Sequence, residues 1–289
     1  MTIESKLDIR PPFDSPPQQP PGTEREMHPK ADHGEDSYEG TGRLQGMRAV
    51  VTGADSGIGR AVAIAFAREG ADVAISYLSE DADAAVTEEE VARAGRRTIR
   101  VRGDLAEPEP CRELISKARE TLGGIDILVN NAAYQRTYDS FDEIPEEEFV
   151  EAFRVNVFAM FRLCQLALPG MQEGSSIINT ASIQSFDPSP TLIPYAATKA
   201  AIVSFTSTLA GLVVNRGIRV NAVAPGPVWT PLIPSTMPEE AVAKFGKSCA
   251  FGRPAQPSEL APIYVFLASN QASFVTGEVY GATGGRMPI

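Results

Sequence analysis

The stretch MRAVVTGADSGIGRAVAIAFAREGADVAISY, from Met47 to Tyr77, constrains the fold of this chain more than any other. Ala49-Val50-Val51 is an apolar run suited to a strand covered on both faces. From Gly57 the apolar residues Ile58, Val62, Ile64, Ala65 and Phe66 recur at helical spacing until Gly70 stops the helix, and Val73 to Tyr77 reads as a second strand. Strand, glycine turn, helix and strand within about 30 residues make a βαβ unit. Its glycines, Gly53, Gly57 and Gly59, are spaced G-x-x-x-G-x-G, which differs from the commoner G-x-G-x-x-G but meets the same demands. The turn must be tight, the backbone must come close to a pyrophosphate, and the helix must open with free N–H groups at its positive end. A glycine turn that holds no ligand is the competing reading of these residues alone.

Further strand patterns fall at 97–102, 125–130, 175–181, 218–224 and 277–281, after 47–52 and 72–77, with helical patterns in each gap. This alternation predicts an α/β fold: a parallel sheet with helices on both faces, which binds ligands beyond the carboxyl ends of its strands. Residues 1–43 hold seven of the 23 prolines and little apolar periodicity. They read as an extended arm, followed by one catalytic domain at 44–289. Phe13 and Tyr38 are apolar anchors in that arm, which we expect to lie across the globular surface or onto a neighbouring subunit. The stretch Trp229 to Gly252, with Pro231, Pro234 and Pro238, interrupts the alternation and reads as a flap over the substrate.

Tyr195 and Lys199, in the run YAATK, stand one helical turn apart and so share a face, with Ser182 thirteen residues upstream. A phenol titrates near ~10 and a lysine near ~10.4. A cation held close to the phenol favours phenolate and makes the tyrosine a proton donor for a carbonyl oxygen. An amphipathic helix with a solvated lysine is the bland alternative. Both histidines, His28 and His33, lie in the arm, so Ser-His-Asp, Cys-His and His-ligated zinc chemistries are disfavoured for the domain. His28, Asp32, His33 and Glu35 are read as solvated side chains and not as a metal cluster, and no metal is expected.

In order along the chain, Thr52-Gly53-x-x-x-Gly57-x-Gly59, Asp104-Leu105, Asn130-Asn131-Ala132-Ala133, Asn156, Ser182, Tyr195-x-x-x-Lys199 and Pro225-Gly226 resemble the short-chain dehydrogenase/reductase family over roughly Leu44 to Gly285. Ala133 departs from the glycine usual there. The Pro-rich start followed by DHGEDSYEGTGRL is similar to a bacterial subgroup with such an arm. The resemblance implies a single Rossmann-type doubly wound domain with a seven-stranded parallel sheet, using NADP or NAD to move hydride between nicotinamide and a small carbonyl or alcohol substrate. It implies Asn156, Ser182, Tyr195 and Lys199 as the catalytic set. Tyr195 is the acid/base, Ser182 bonds the same oxygen, Lys199 also holds the nicotinamide ribose, and Asn156 holds a water beside it. For the cofactor it implies Gly53, Ser56, Gly57, Ile58 and Gly59 at the turn and Tyr77 at the end of the second strand. It adds Asp104 and Leu105 beside adenine, Asn130 and Ala132 at the ribose and sheet end, Tyr195 and Lys199, and Pro225, Gly226, Val228 and Thr230 near nicotinamide. A homotetramer or dimer is implied, through the helix opening at Pro194 with its small residues Ala196, Ala197, Ala200 and Ala201.

A net charge of −11 with no Lys/Arg block argues against nucleic acid or an anionic membrane as partner. No apolar run reaches the ~18 residues of a membrane span. The start MTIESKLDIRPPF lacks a signal peptide's apolar core, so a cytoplasmic location is expected. Cys111, Cys164 and Cys249 are read as reduced structural thiols. A nonenzymatic nucleotide sensor would need no proton donor. A nucleotide-sugar epimerase shares Tyr-x-x-x-Lys but carries a larger C-terminal domain and shows no net change in cofactor absorbance. Gln184, Ser185, Phe186, Tyr134, Trp229, Ile233 and Met237 are candidate substrate contacts. At the cofactor's 2′-position neither an acidic residue nor a cation stands at the expected place. Hydroxyls of Ser56, Tyr77 and Ser79 are expected to donate there, and Arg60 is available only if it bends back, so selectivity should be modest.

Overall fold

The computed structural model describes residues 8–285, so the parts of the expected arm at 1–7 and of the expected catalytic domain at 286–289 lie outside the described residues. Seven strands, β1 (Arg48–Thr52), β2 (Asp72–Tyr77), β3 (Thr98–Arg102), β4 (Ile127–Asn130), β5 (Ser176–Thr180), β6 (Arg219–Pro225) and β7 (Val279–Ala282), form one parallel sheet in the order β3-β2-β1-β4-β5-β6-β7. Central strands are mostly apolar, and β2, β4, β5 and β6 are buried along their whole length, as is β1 after Arg48, because helices cover both faces. One face carries α1 (Gly57–Arg68), α2 (Asp81–Arg93) and, from the C-terminal part of the chain, α9 (Pro257–Ala268). Phe66 and Ala61 of α1 pack there against Leu260 and Tyr264 of α9. The other carries α3 (Pro108–Leu122), α4 (Glu146–Phe153), α5 (Ala159–Ala167) and α6 (Ile193–Val213).

Strand order reverses between β1 and β4, and the two loops that leave their carboxyl ends diverge to open a cleft. A Cβ on Gly53 would lie 3.0 Å from the Ala132 Cα, which shows how closely the loops approach before they part. The Thr52 hydroxyl accepts from the N–H groups of Asn131 and Ala132 at 2.9 and 3.0 Å and ties the loops together.

Helix α6 and its flanking turns, Pro190–Arg216, are long and apolar enough to cross a membrane by length and composition alone, with a mean hydropathy of 1.5. Lys199 and several Ser and Thr residues interrupt the segment, so it is not the continuous apolar run of ~18 residues that the sequence was expected to lack. The helix packs on β6 and buries Lys199, and 39% of its apolar window is inside the fold.

The arm runs over the domain of its own chain with almost no regular structure beyond one turn at Glu24–Glu26. Phe13 and Met27 bury themselves with Trp229, Ile233 and Val242 of the flap, which contains two short helices, α7 (Leu232–Thr236) and α8 (Glu239–Ala243). The Tyr38 hydroxyl donates to Glu69 at 2.7 Å. The arm side chains are not all solvated: His33 is 3% exposed, held between Glu24 and Glu35 at 2.8 and 2.9 Å. Sequence could not reveal this, because the contact exists only once the arm folds back.

Candidate active site

A cleft of about 830 Å³ opens at the switch point, with the glycine turn at one end and Tyr195 at the other. The turn is built by exclusion of side chains. Gly57 has φ +50°, and a Cβ there would meet Thr230 Cγ2 at 2.9 Å. On Gly59 a Cβ would stand 2.0 Å from the Gly53 carbonyl oxygen, so Gly59 serves helix-to-strand packing and does not itself face the cleft. Helix α1 opens toward the cleft with Ile58 on its wall, and the positive end of a helix is suited to a pyrophosphate. A dinucleotide fits this cradle by the close glycine packing and the cleft's size.

Of the residues expected at the cofactor, Gly53, Ser56, Gly57, Ile58, Tyr77, Asp104, Leu105, Ala132, Pro225, Gly226, Val228 and Thr230 line the cleft together with Tyr195, Lys199 and Ser182. Asn130 does not. Its amide donates to Asn179 at 2.8 Å inside the sheet, while its neighbour Asn131 forms the wall and donates to the Thr52 and Gly53 carbonyls at 3.0 and 3.2 Å. Strand alternation decides which of two adjacent asparagines faces inward, and the exact strand end was not legible from the sequence.

At the other end, Lys199 is 1% exposed and donates to the Thr180 carbonyl at 2.7 Å, with its Nζ 5.2 Å from the centre of the Tyr195 ring. The Tyr195 and Ser182 side chains are hydrogen-bonded. Ser182 opens a short turn, its Oγ accepting from the Gln184 N–H at 3.2 Å. Burial pushes the Tyr195 phenol up to about 12, with the Ser182 bond opposing, and burial pushes Lys199 down to about 7. This corrects the expectation that lysine lowers the tyrosine. Desolvation dominates both groups and drives each toward its neutral form.

Asn156 sits within a π-helical turn, Arg154–Phe158, that joins α4 to α5. Its side chain accepts from the Tyr134 N–H at 2.7 Å and donates to the Tyr134 carbonyl and the Thr198 hydroxyl at 2.9 and 3.0 Å. It braces the loop after β4 against α6 next to Lys199 and does not itself line the cleft.

The expected 2′-phosphate donors are otherwise engaged. Tyr77 donates to Asp81 at 2.7 Å, Ser79 donates to Glu80 at 2.5 Å, and Arg60 is buried with its guanidinium on the Asp55 carbonyl at 2.6 Å. Two carboxylates that the sequence reading had not placed, Asp55 and Glu80, stand in the cleft wall. Burial, with the Glu80 charge adding, pushes Asp55 up to about 6 against the Ser56 hydrogen bond. On the substrate side Tyr134, Gln184, Ile233 and Met237 line the cleft, whereas Ser185, Phe186 and Trp229 do not. Trp229 is fully buried, stacked on Phe13. Pro20 and Pro21 of the arm contribute to the wall, which no local signal indicated. Among the described residues no group of three or more His, Cys, Asp or Glu could hold a metal ion.

A glycine-turn cradle joined through one cleft to a Ser–Tyr–Lys set defines an oxidoreductase that works with a nicotinamide dinucleotide. The comparisons with known proteins agree. A family model described as enoyl-(acyl carrier protein) reductase matches residues 53–286. General stress protein 39 of Bacillus subtilis is 47% identical over 265 residues, 92% of this chain and 93% of that one. Glucose and ribitol dehydrogenase of Daucus carota is 44% identical over 271 residues, 92% and 93% of the two chains. The crystal structure of a short chain dehydrogenase from Burkholderia cenocepacia J2315 in complex with NADP superposes with a TM-score of 0.79 at 33% identity, covering 84% of this chain and 98% of that one. The chain belongs to the short-chain dehydrogenase/reductase family and is an NAD(P)-dependent oxidoreductase.

Proposed function

We propose that this enzyme interconverts a carbonyl compound and its alcohol, with Tyr195 as the acid/base. Convergence of Tyr195, Ser182 and Lys199 at the end of the cleft opposite the glycine turn carries this reading. Nicotinamide dinucleotide, when bound, supplies or accepts the hydride. Tyr195 Oη gives its proton to the substrate oxygen in reduction and takes it back in oxidation. Ser182 Oγ holds the same oxygen, and Lys199 holds the far side of the tyrosine. Burial, which raises the phenol to about 12, makes it a weaker acid, so donation draws on the Ser182 hydrogen bond, which favours phenolate, and on Lys199, whose charge steadies the phenolate whenever the amine is protonated. Asn156 keeps the helix turn that presents Lys199. A sensor would leave such a proton donor without a task.

The substrate end mixes Gln184, Thr236 and Tyr134 with Ile233, Met237 and Phe245. Together with the name of the carrot relative this favours hydroxylated carbonyls, aldoses and alditols among them, in a first screen with both cofactors. We further propose a homotetramer or dimer in the cytoplasm. Cys111 and Cys164 are buried free thiols. Phe158, Phe161 and Leu212 are exposed, and on α6 Ala200 is exposed and Ala197 and Ala201 are half-buried. Ala196, by contrast, points into its own subunit.

Tyr195→Phe tests the central assignment. It should reduce kcat on the order of 10²–10⁴ while leaving cofactor affinity within a few-fold, because it deletes one proton and little else. Retention of half the wild-type kcat would remove Tyr195 from the mechanism.

A further inference from the structure

Residues Phe13 to Glu35 of the arm run along the cleft and touch both of its sides. Toward the flap, the Phe13 ring stacks on Trp229 with centroids 4.2 Å apart, and the Phe13 N–H donates to the Ala243 carbonyl at 3.1 Å. The Gln18 N–H donates to the Pro234 carbonyl at 3.0 Å, and Trp229 Nε1 donates to the Pro29 carbonyl at 2.8 Å. Toward the glycine turn, Glu24 accepts from the Gly57 N–H at 2.8 Å and donates its own N–H to Asp83 at 2.9 Å. Between these anchors Pro20 and Pro21 form part of the cleft wall. Thr230, where the flap begins, packs on Gly57 so closely that no Cβ would fit.

Glu24 is 6% exposed, and a buried carboxylate is costly unless paired. Here it takes one of the N–H groups that a helix cannot satisfy internally, at the positive end of α1, and shares its charge with His33. Gly57 has no side chain with which to fix its own backbone, so an acceptor brought from the arm sets where its N–H points. The two ends of the strap are thus mechanically joined: the turn, the arm and the flap touch in sequence.

We infer that Glu24 is a positioning residue for the glycine turn and that the arm ties this turn to the substrate flap, so that both sides of the cleft are set together. The inference rests on reading the cleft as a dinucleotide and substrate site. Its test therefore includes a measurement that needs neither. Hydrogen exchange of the protein without added ligand is compared for wild type, Glu24→Ala, Glu24→Gln and Phe13→Ala, and NADP and NAD are then titrated while the emission of Trp229, the single tryptophan, is followed.

Glu24→Ala should speed exchange at residues 57–60 and in the flap at 232–245 by roughly tenfold and raise cofactor Kd by about the same factor, with kcat at saturating cofactor within about threefold. Glu24→Gln, which keeps an acceptor, should recover most of both. Phe13→Ala should loosen the flap, shift Trp229 emission to the red and raise substrate KM more than cofactor Kd. Unchanged exchange at residues 57–60 in Glu24→Ala with a lowered melting temperature would overturn the inference and leave the arm as packing alone. Faster exchange with Kd within twofold would overturn the positioning role. A wild type that binds neither cofactor would overturn the reading of the cleft, and the exchange result would still decide the coupling of turn, arm and flap.

Discussion

Tyr195 and Lys199 illustrate how little a motif says about charge. Their spacing places them on one face, yet it is the enclosing cleft that drives the phenol up to about 12 and the ammonium down to about 7. For Lys199 the linkage sign is clear. The folded state releases its proton near 7 and the unfolded chain near 10.5, so this group makes the protein more stable as pH rises across that window. The same scale governs cofactor choice. With Tyr77 and Ser79 committed to carboxylates and Glu80 in the wall, Glu80→Gln should improve kcat/KM for NADP(H) relative to NAD(H) about three- to tenfold, the worth of a partly solvated charge near a phosphate. Leu78→Arg, at an exposed cleft position, should move it further. Steady-state kinetics with both cofactors decide this. No change in the ratio for either variant would mean that the 2′-position lies elsewhere.

At the scale of elements, the π turn at Arg154–Phe158 is where a local rule is broken for a tertiary reason. The sequence VNVF gave no sign of a wider turn, because helical periodicity tolerates one extra residue and the Asn156 side chain could cap or simply be buried. In the fold its three hydrogen bonds join the β4 loop to α6. Asn156→Ala would leave the half-buried Tyr134 backbone groups without these partners, at up to about 1–3 kcal/mol each. Urea denaturation should therefore show a loss of roughly 2–4 kcal/mol, with kcat lowered through the displaced neighbour of Lys199. A variant with native stability would show that water replaces the amide at no cost. Gly59 and Asn131 make the same point on a smaller scale, since the glycine spacing was readable but its use for packing against Gly53 was not.

Across the whole molecule, the arm adds a buried charge cluster to a domain that has no histidine of its own. Desolvation opposes protonation of His33, but the Glu24 charge and the hydrogen bonds to Glu24 and Glu35 outweigh it and hold His33 up to about 9, against a smaller repulsion from Arg60. Its stabilisation is complete below pH 6.5 and is lost as pH rises through 9, while that of Glu35, held down to about 2, is lost as pH falls below 4.5. Arm docking is thus strongest between pH 4.5 and 6.5. His33→Gln should cost roughly 3 kcal/mol at pH 6, and the gap to wild type should shrink by pH 9. An equal gap at both pH values would show that the charge on His33 contributes nothing. The exposed Phe158 and Phe161, beside Phe205, predict assembly on a different face. Phe161→Glu should lower the oligomeric state seen by light scattering, and an unchanged mass would place the subunit contact elsewhere.

The sequence by itself determined the parallel sheet with helices on both faces, the rough extent of its seven strands, the glycine turn and the shared face of Tyr195 and Lys199, and the family resemblance added the doubly wound topology and the role of Ser182. The first of these follow from local periodicity and short spacings that hold whatever the rest of the chain does. The tertiary structure alone decided that Asn131 and not Asn130 faces the cleft, that Asp55 and Glu80 line it, that Trp229 is buried under Phe13, and that His33 is an enclosed partner of Glu24. Each of these is a contact between residues far apart in the chain. Nothing in either partner's neighbourhood encodes it, because the energy that fixes it, burial of a ring or pairing of a desolvated charge, appears only when the chain has closed on itself.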